Sequence, residues 1–342
     1  MSDVIGVDLG GTKIAVARLS GRRLSTSTIE PTQLSDSEAL IEQLVKMIGS
    51  ARDDRLDAIG IGVPSIVEFA TGRVVSSTNI PLEDVPLREV LGERLGVPAF
   101  VDNDATVAAL AEAHDEDLEM VARDLVMITV GTGVGGGLVL GGKIYRGATG
   151  GAGEIGHTLV GIDLEDSVPD AGRFPQPGSL EGVAAGHALD HLAATYAAEH
   201  PDSALGRLLA AGHPVTGIEA VDAAHSGDRE AARLVELWGE RVGIGIANVI
   251  NTFDPQEVVI GGGAARASDL LLEPARRTAS AYVLPGLGRA TTIRVARHGV
   301  RAGVLGAALL AEHEIDRAPS PPPDRDGVSP LSAPAPEHGS VG

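Results

Sequence analysis

The strongest constraint on this chain is that it states one pattern twice. Residues 4–19, VIGVDLGGTKIAVARL, run as an apolar β-branched stretch, a glycine turn and a second alternating stretch. Residues 124–146, DLVMITVGTGVGGGLVLGGKIYR, follow the same plan. Alternating apolar residues on both sides of a glycine turn predict a β-hairpin, and two copies of one unit predict a fold built by internal duplication. A third glycine run, EVVIGGGAA at 257–265, closes a buried strand and opens a helix.

Glycine turns at strand ends let backbone N–H groups approach an anion with no Cβ in the way. Gly10, Gly11, Thr12 and Lys13 are placed to cup phosphate oxygens, with Asp8 nearby to hold Mg²⁺ through water. Segment 131–137, with Gly131, Thr132 and Gly133 at its head, is the matching cup. The spacing G-x-G-x-x-G does occur inside VGTGVGGG, but a strand follows it rather than a helix, which excludes a dinucleotide-binding fingerprint. No G-x-x-x-x-G-K-[ST] loop is present.

Around these units the pattern alternates strand and helix. Helices are predicted over 37–52, 85–96, 105–114, most of 180–252, and 301–314; 56–67 reads as a strand followed by a glycine turn, and 98–104 as a strand. A chain of 342 residues suffices for two domains. They are expected at 1–115, joined by the helix 301–314, and at 116–300. Residues 316–342 are Pro/Ser-rich and too polar to pack, so a disordered tail is expected there.

The 27 basic and 47 acidic side chains leave a net charge of −20, and aromatics are only 2% of the chain. Such a field repels phosphate backbones and anionic lipid, and few rings remain to stack on bases, which excludes nucleic acid and membrane surface as partners. The absence of cysteine rules out disulfides and thiolate-bound metals. The N-terminus lacks a signal-peptide pattern, and no run of about 18 apolar residues occurs. A soluble cytoplasmic protein is expected.

Two further segments carry chemistry. In VDNDATVAAL, Asn103 and Asp104 sit where a strand gives way to a helix. They read either as a plain helix cap or as a base and its orienting amide; beside two phosphate cups, Asp104 is placed to accept a proton from a substrate hydroxyl in phosphoryl transfer. In GGAGEIGH, Glu154 and His157, with Glu181 downstream in GSLEG, are able to hold several sugar hydroxyls, or merely to begin a solvated helix. His187 and His191 lie four apart and are read as exposed faces of a helix rather than metal ligands.

Taken in order, IGVDLGGTKIAVA, GVPSIVEFATGRVVSSTNIP, VDNDATVAALAEA, VGTGVGGGLVLGGKIYRGATGGAGEIGH and ANVINTFDPQEVVIGGG resemble the ROK family of repressors, open reading frames and kinases, over roughly residues 4–312. The resemblance implies two actin-like ATPase (ribonuclease H-like) α/β domains around a central cleft. It implies an ATP- and Mg²⁺-dependent hexose kinase, glucokinase-like, with fructose, N-acetylmannosamine and N-acetylglucosamine as other acceptors. A sugar-sensing protein without catalysis is the reading from another class. Asp104 takes the place of the catalytic base; Ser65, Asn79, Asn103, Asp104, Glu154, His157 and Glu181 take sugar-binding positions. Gly10 to Lys13 and Gly131 to Gly133 match the phosphate motifs, and Gly261, Gly262 and Gly263 the adenosine motif. The chain opens on the first phosphate motif with no room for the winged helix of the family's repressors. A homodimer or homotetramer is implied.

Two departures follow from the same resemblance. Family members commonly bear zinc on the histidine of GEIGH and three loop cysteines; here only His157 remains, so no structural zinc is expected, and packing of the 158–180 loop has to place Glu154 and His157. Ser65 stands where many members carry a sugar-contacting glycine.

Overall fold

The structure is a computed structural model describing residues 2–53, 55–77, 79–161 and 174–315. The expected tail at 316–342 and the middle of the 158–180 loop lie outside the described residues.

The first half contains β1 (Asp3–Leu9), β2 (Lys13–Ser20), β3 (Arg23–Leu24), β4 (Thr28–Pro31), α1 (Ser37–Ala51), β5 (Ala58–Val63), β6 (Ile66–Glu68), β7 (Arg73–Ser76), α2 (Leu87–Leu95), β8 (Ala99–Asn103) and α3 (Asp104–Glu112). The second contains β9 (Leu125–Val130), β10 (Val134–Leu140), β11 (Lys143–Ile144), α4 (Leu180–Ala184), α5 (Gly186–Glu199), α6 (Ala204–Ala210), α7 (Gly217–His225), α8 (Arg229–Phe253), β12 (Glu257–Gly261), α9 (Ser268–Tyr282), β13 (Thr292–Val295) and α10 (Ala302–Glu314). The strand expected in 56–67 is β5, the chain turns after it at Pro64–Ser65, and a short β6 then pairs with β7 among the described residues.

The duplication is plain in the sheets. In the first, β1 pairs antiparallel with β2 and parallel with β5, and β5 pairs parallel with β8. In the second, β9 pairs antiparallel with β10 and parallel with β12, and β12 pairs parallel with β13. Strand alternation then sorts large from small side chains. Ile5, Val7 and Leu9 of β1 and Ile59 and Ile61 of β5 share a core with Leu40 and Leu44 of α1 and Leu87 and Leu91 of α2. Val126, Ile128 and Val130 share another with helices α4 to α9, around Leu180, Trp238 and Val242.

The remaining face of each sheet is covered by a helix from the other half of the chain. The late helix α10 lies on β1 and β5, whereas α3, inside the span expected for the first domain, lies on β9 and β10; α3 and α10 pack against each other between the sheets. Small residues make this closeness possible. A Cβ at Gly60 would strike the carbonyl of Ala307, and one at Gly137 the carbonyl of Ala105. The glycine run 131–137 therefore divides its labour: its tail seats α3, and the turn facing an anion narrows to 131–133.

A buried ion pair holds the crossing. Glu112, fully buried at the end of α3, accepts Arg294 Nη1 at 2.6 Å and the backbone N–H groups of Arg297 and His298, both at 2.9 Å. Among the described residues, no helix is long and apolar enough to cross a membrane.

Candidate active site

The two hairpin turns are built alike. Gly10 N–H closes on the Lys13 carbonyl at 3.0 Å, and Gly131 N–H on the Gly133 carbonyl at 2.9 Å. The next two N–H groups, of Gly11 and Thr12 in one turn and of Thr132 and Gly133 in the other, find no backbone acceptor among the described residues. Thr32 pins the first turn from behind, donating Oγ1 to the Gly10 carbonyl at 2.7 Å and N–H to the Thr12 carbonyl at 3.1 Å. Lys13 is exposed at the start of β2, close enough for its charge to act on Asp8. The backbone of Asn79 lies against Gly11, which places Asn79 beside this turn.

Asn103 and Asp104 take different jobs. Asn103 is the N-cap of α3: Oδ1 accepts Thr106 N–H at 3.1 Å, and Nδ2 donates to the Ser65 carbonyl at 3.4 Å. That leaves Asp104, the first helical residue, free of the capping role. Its Oδ1 accepts the neighbouring Ala105 N–H at 2.7 Å. Burial pushes its pKa up to about 6, and the charges of Asp8 and Glu154 push the same way. Asp8, ending β1, is itself raised by burial, with Lys13 opposing. Ser65, 7% exposed, keeps its Oγ without a hydrogen-bond partner among the described residues.

The GEIGH segment forms a single 3₁₀ turn at Ile155–His157, laid on Gly136 of β10. His157 Nε2 stands 3.8 Å from Glu154 Oε2, and its ring meets Phe174 edge-on at 5.6 Å. The described ends of the 158–180 loop zip together: Leu180 N–H donates to the Thr158 carbonyl at 2.9 Å, and Val160 N–H to the Gly178 carbonyl at 2.8 Å. Among the described residues, no cluster of three or more His, Asp or Glu able to hold a metal is found. Glu181 lies in α4 beside the second turn. Its Oε2 accepts Val134 N–H at 2.8 Å and fills the space that a side chain at Gly133 would need.

A cavity of about 440 Å³ opens from the second turn. Gly131, Thr132 and Gly263 line one end, and Leu189, Ile218 and Val221 give it an apolar wall. Its mouth of glycine amides and its greasy body have the make-up of a nucleoside phosphate pocket. Of Gly261, Gly262 and Gly263, Gly263 lines this cavity, and α5 and α7, expected from the sequence as helices but not as part of a site, contribute Gly186 and Gly217 to it. Both helices begin with a glycine: Gly186 N–H donates to the Gly131 carbonyl at 2.7 Å, and Gly217 N–H to Asp190 Oδ1 at 2.7 Å. Those two glycines were the available signal. His187 and His191 are both exposed, and His187 Nδ1 lies 3.2 Å from the Thr132 carbonyl.

The donors at Asp8 suit a hard cation. Mg²⁺ takes one or two carboxylates together with substrate phosphates. Asp8 ends a strand beside an amide cup, and a Cβ at Gly303 would come within 2.5 Å of its Cγ, so the fold reserves room around this carboxylate.

Two duplicated lobes, each with a sheet that carries a glycine turn, define an actin-like ATPase fold. The chain belongs to the ROK family, whose sequence model matches residues 4–314. It is 35% identical over 327 residues to a glucokinase of Halalkalibacterium halodurans, covering 92% of this chain and 97% of that protein. Among solved structures, a ROK hexokinase from Thermus thermophilus aligns with a TM-score of 0.73 at 37% identity, covering 92% of this chain and 99% of the other. A ROK glucokinase from Streptomyces griseus, in complex with glucose and AMPPNP, aligns with a TM-score of 0.74 at 31% identity, covering 91% and 100%.

Proposed function

We propose that this chain is an ATP-dependent hexose kinase that transfers the γ-phosphate to the 6-hydroxyl of glucose. The observation that carries the proposal is Asp104: a carboxylate raised to about 6, at a helix start, with Asp8 of the first amide turn and Glu154 close enough to act on its charge. A base is most effective when its pKa lies near the working pH.

In this reading the adenosine fills the cavity beside Gly263, and its phosphates reach the N–H groups of the two turns. Asn103, Glu154, His157, Ser65, Asn79 and Glu181 are the hydroxyl partners. As the sugar oxygen attacks the γ-phosphorus, Asp104 takes the hydroxyl proton, the bond to the β–γ bridging oxygen breaks, and ADP leaves. Asp8 is the residue that would hold Mg²⁺ through water, and the cation would supply positive charge against that of the triphosphate. Closure of the lobes over the sugar excludes water that would otherwise hydrolyse ATP. The family resemblance supports a cytoplasmic homodimer or homotetramer, and the net charge of −20 argues against nucleic acid and membrane surface as partners.

The test is a coupled ADP-release assay over glucose, fructose, N-acetylmannosamine and N-acetylglucosamine, with ATP or polyphosphate as donor. Turnover is expected with glucose and ATP. Sugar binding without turnover under any donor would make the chain a sensor, and faster turnover of another sugar would move the assignment to that acceptor.

A further inference from the structure

Arg146 stands between the two halves of this site, and the chemistry above leaves it unused. Its Nε donates to Asp102 Oδ2 at 2.6 Å, and Nη2 lies 3.5 Å from Glu314 Oε1 at the end of α10. The guanidinium lies 3.4 Å from the centroid of the Phe69 ring. Asp102 is 2% exposed, and its other oxygen accepts Asn103 N–H at 3.0 Å. The side chain of Arg146 therefore grips the strand β8 immediately ahead of Asn103 and Asp104.

The main chain of the same residue grips the other half. The Arg146 carbonyl accepts Ala152 N–H at 3.1 Å, two residues before Glu154. The intervening segment leans on the first lobe, because a Cβ at Gly150 would strike the carbonyl of Val67 in β6. One residue thus touches the strand that leads to Asp104 and the turn that leads to Glu154 and His157; that strand, β8, lies in the first sheet, and the turn follows β11 of the second. Guanidinium suits the task, since its planar fork holds a carboxylate and stacks on a ring together, whereas an ammonium is a point charge.

We propose that Arg146 is a positioning residue for phosphoryl transfer, fixing Asp104 relative to Glu154 and His157 through Asp102 on one side and Ala152 on the other. The proposal rests on the kinase reading above for its effect on rate. Burial raises the pKa of Asp102, and the charge and hydrogen bond of Arg146 oppose that rise. A pair serving folding alone would affect both substrates alike; a positioning pair affects the sugar half and spares the nucleotide cavity, whose lining it does not touch.

The experiment compares R146Q, R146K, D102N and the double variant D102N/R146Q with the full-length wild type. It measures kcat, KM for glucose and for ATP, and glucose affinity by calorimetry. R146Q is expected to lower kcat about 100-fold, as an error of about 1 Å in placement does, to weaken glucose binding, and to leave KM for ATP unchanged. R146K is expected to fall about 10-fold below wild type in kcat and in glucose affinity, a milder loss than R146Q, because it keeps the charge without the fork. The double variant is expected to be no worse than either single one, because the pair acts as a unit. Wild-type kcat and glucose KM in R146Q would overturn the proposal, as would equal losses for both substrates or additive losses in the double variant. If R146Q fails to fold, R146K decides: wild-type kcat and glucose affinity there refute positioning. A wild-type chain that binds glucose without turnover refutes the kinase reading alone, and the glucose affinity of R146K then still decides for or against positioning.

Discussion

Glu181 is bound to Val134: its Oε2 accepts the N–H that begins β10 at 2.8 Å, beside the turn at Gly133. A residue matched to a sugar-binding position by family resemblance thus also holds the second amide turn in shape. The two roles separate by substitution. Glu181→Gln keeps a carbonyl acceptor for Val134, so KM for ATP is expected to hold while KM for glucose rises about 10-fold, the loss of one charge-assisted hydrogen bond. Glu181→Ala is expected to raise both. Steady-state kinetics with each substrate varied checks this, and an unchanged glucose KM in Glu181→Gln would remove Glu181 from the sugar site.

Asp104 should leave its mark on the pH profile. Its base form is needed for proton transfer, and its pKa lies at about 6 rather than the ordinary 3.8. The rate kcat/KM for glucose should therefore rise with pH through about 6 and level off above it. Asp104→Asn should lower kcat by about 10²–10⁴, the usual worth of a general base.

Stability should move the other way in Asp104→Asn. A carboxylate whose folded pKa exceeds its unfolded one costs the folded state more to ionise, so stability falls as pH rises from 3.8 to about 6. Asparagine escapes this penalty. The variant's Tm is expected to match wild type near pH 3.5 and to exceed it above pH 6.5, measured by thermal unfolding across that range. Equal Tm values throughout would mean that Asp104 is not ionised at a cost.

Ser65 gives a second case of stability given up at the site. Its buried Oγ has no partner among the described residues, and an unsatisfied buried hydroxyl costs about 1–3 kcal/mol. Ser65→Ala should raise the stability of the sugar-free protein and weaken glucose binding. Denaturant unfolding with and without glucose measures both; a variant that loses stability and keeps glucose affinity would place the hydroxyl outside the site.

Glycine replacement should separate packing from helix propensity. A side chain at Gly137 collides with the backbone of α3, so Gly137→Ala is expected to destabilise by about 1–3 kcal/mol and to lower kcat by displacing Asp104. Gly49, in α1, has open space around its Cβ direction, and Gly49→Ala should stabilise by about 0.5–1 kcal/mol with kcat unchanged. Urea unfolding of the two variants provides the comparison.

The sequence carried the hairpins because alternation and glycine turns are local signals, and it carried the cap at Asn103 because a short polar residue ahead of an apolar run has one common use. The crossing of α3 was not legible. Residues Ala105 to Ala111 are all buried, so the segment has no polar face to say which sheet it covers. The cavity wall was hidden for a related reason: Leu189, Ile218 and Val221 look like any apolar positions of amphipathic helices, and only the assembled fold shows that they surround a space. Arg146 was invisible because its partners, Asp102 and Glu314, are distant in sequence.

The exchange of α3 and α10 also has a consequence for synthesis. A nascent chain that has emerged as far as β8 carries every strand of its first sheet, with α1 and α2 to cover one side. The other side, including Val4, Gly6, Ala58 and Gly60, waits for residues 302–314, made some two hundred residues later. At about 5–20 residues per second, that sheet face stays open for roughly 10–40 s on the ribosome. Its small residues, which let α10 approach so closely, also make it a poor apolar template for a wrong partner during the wait.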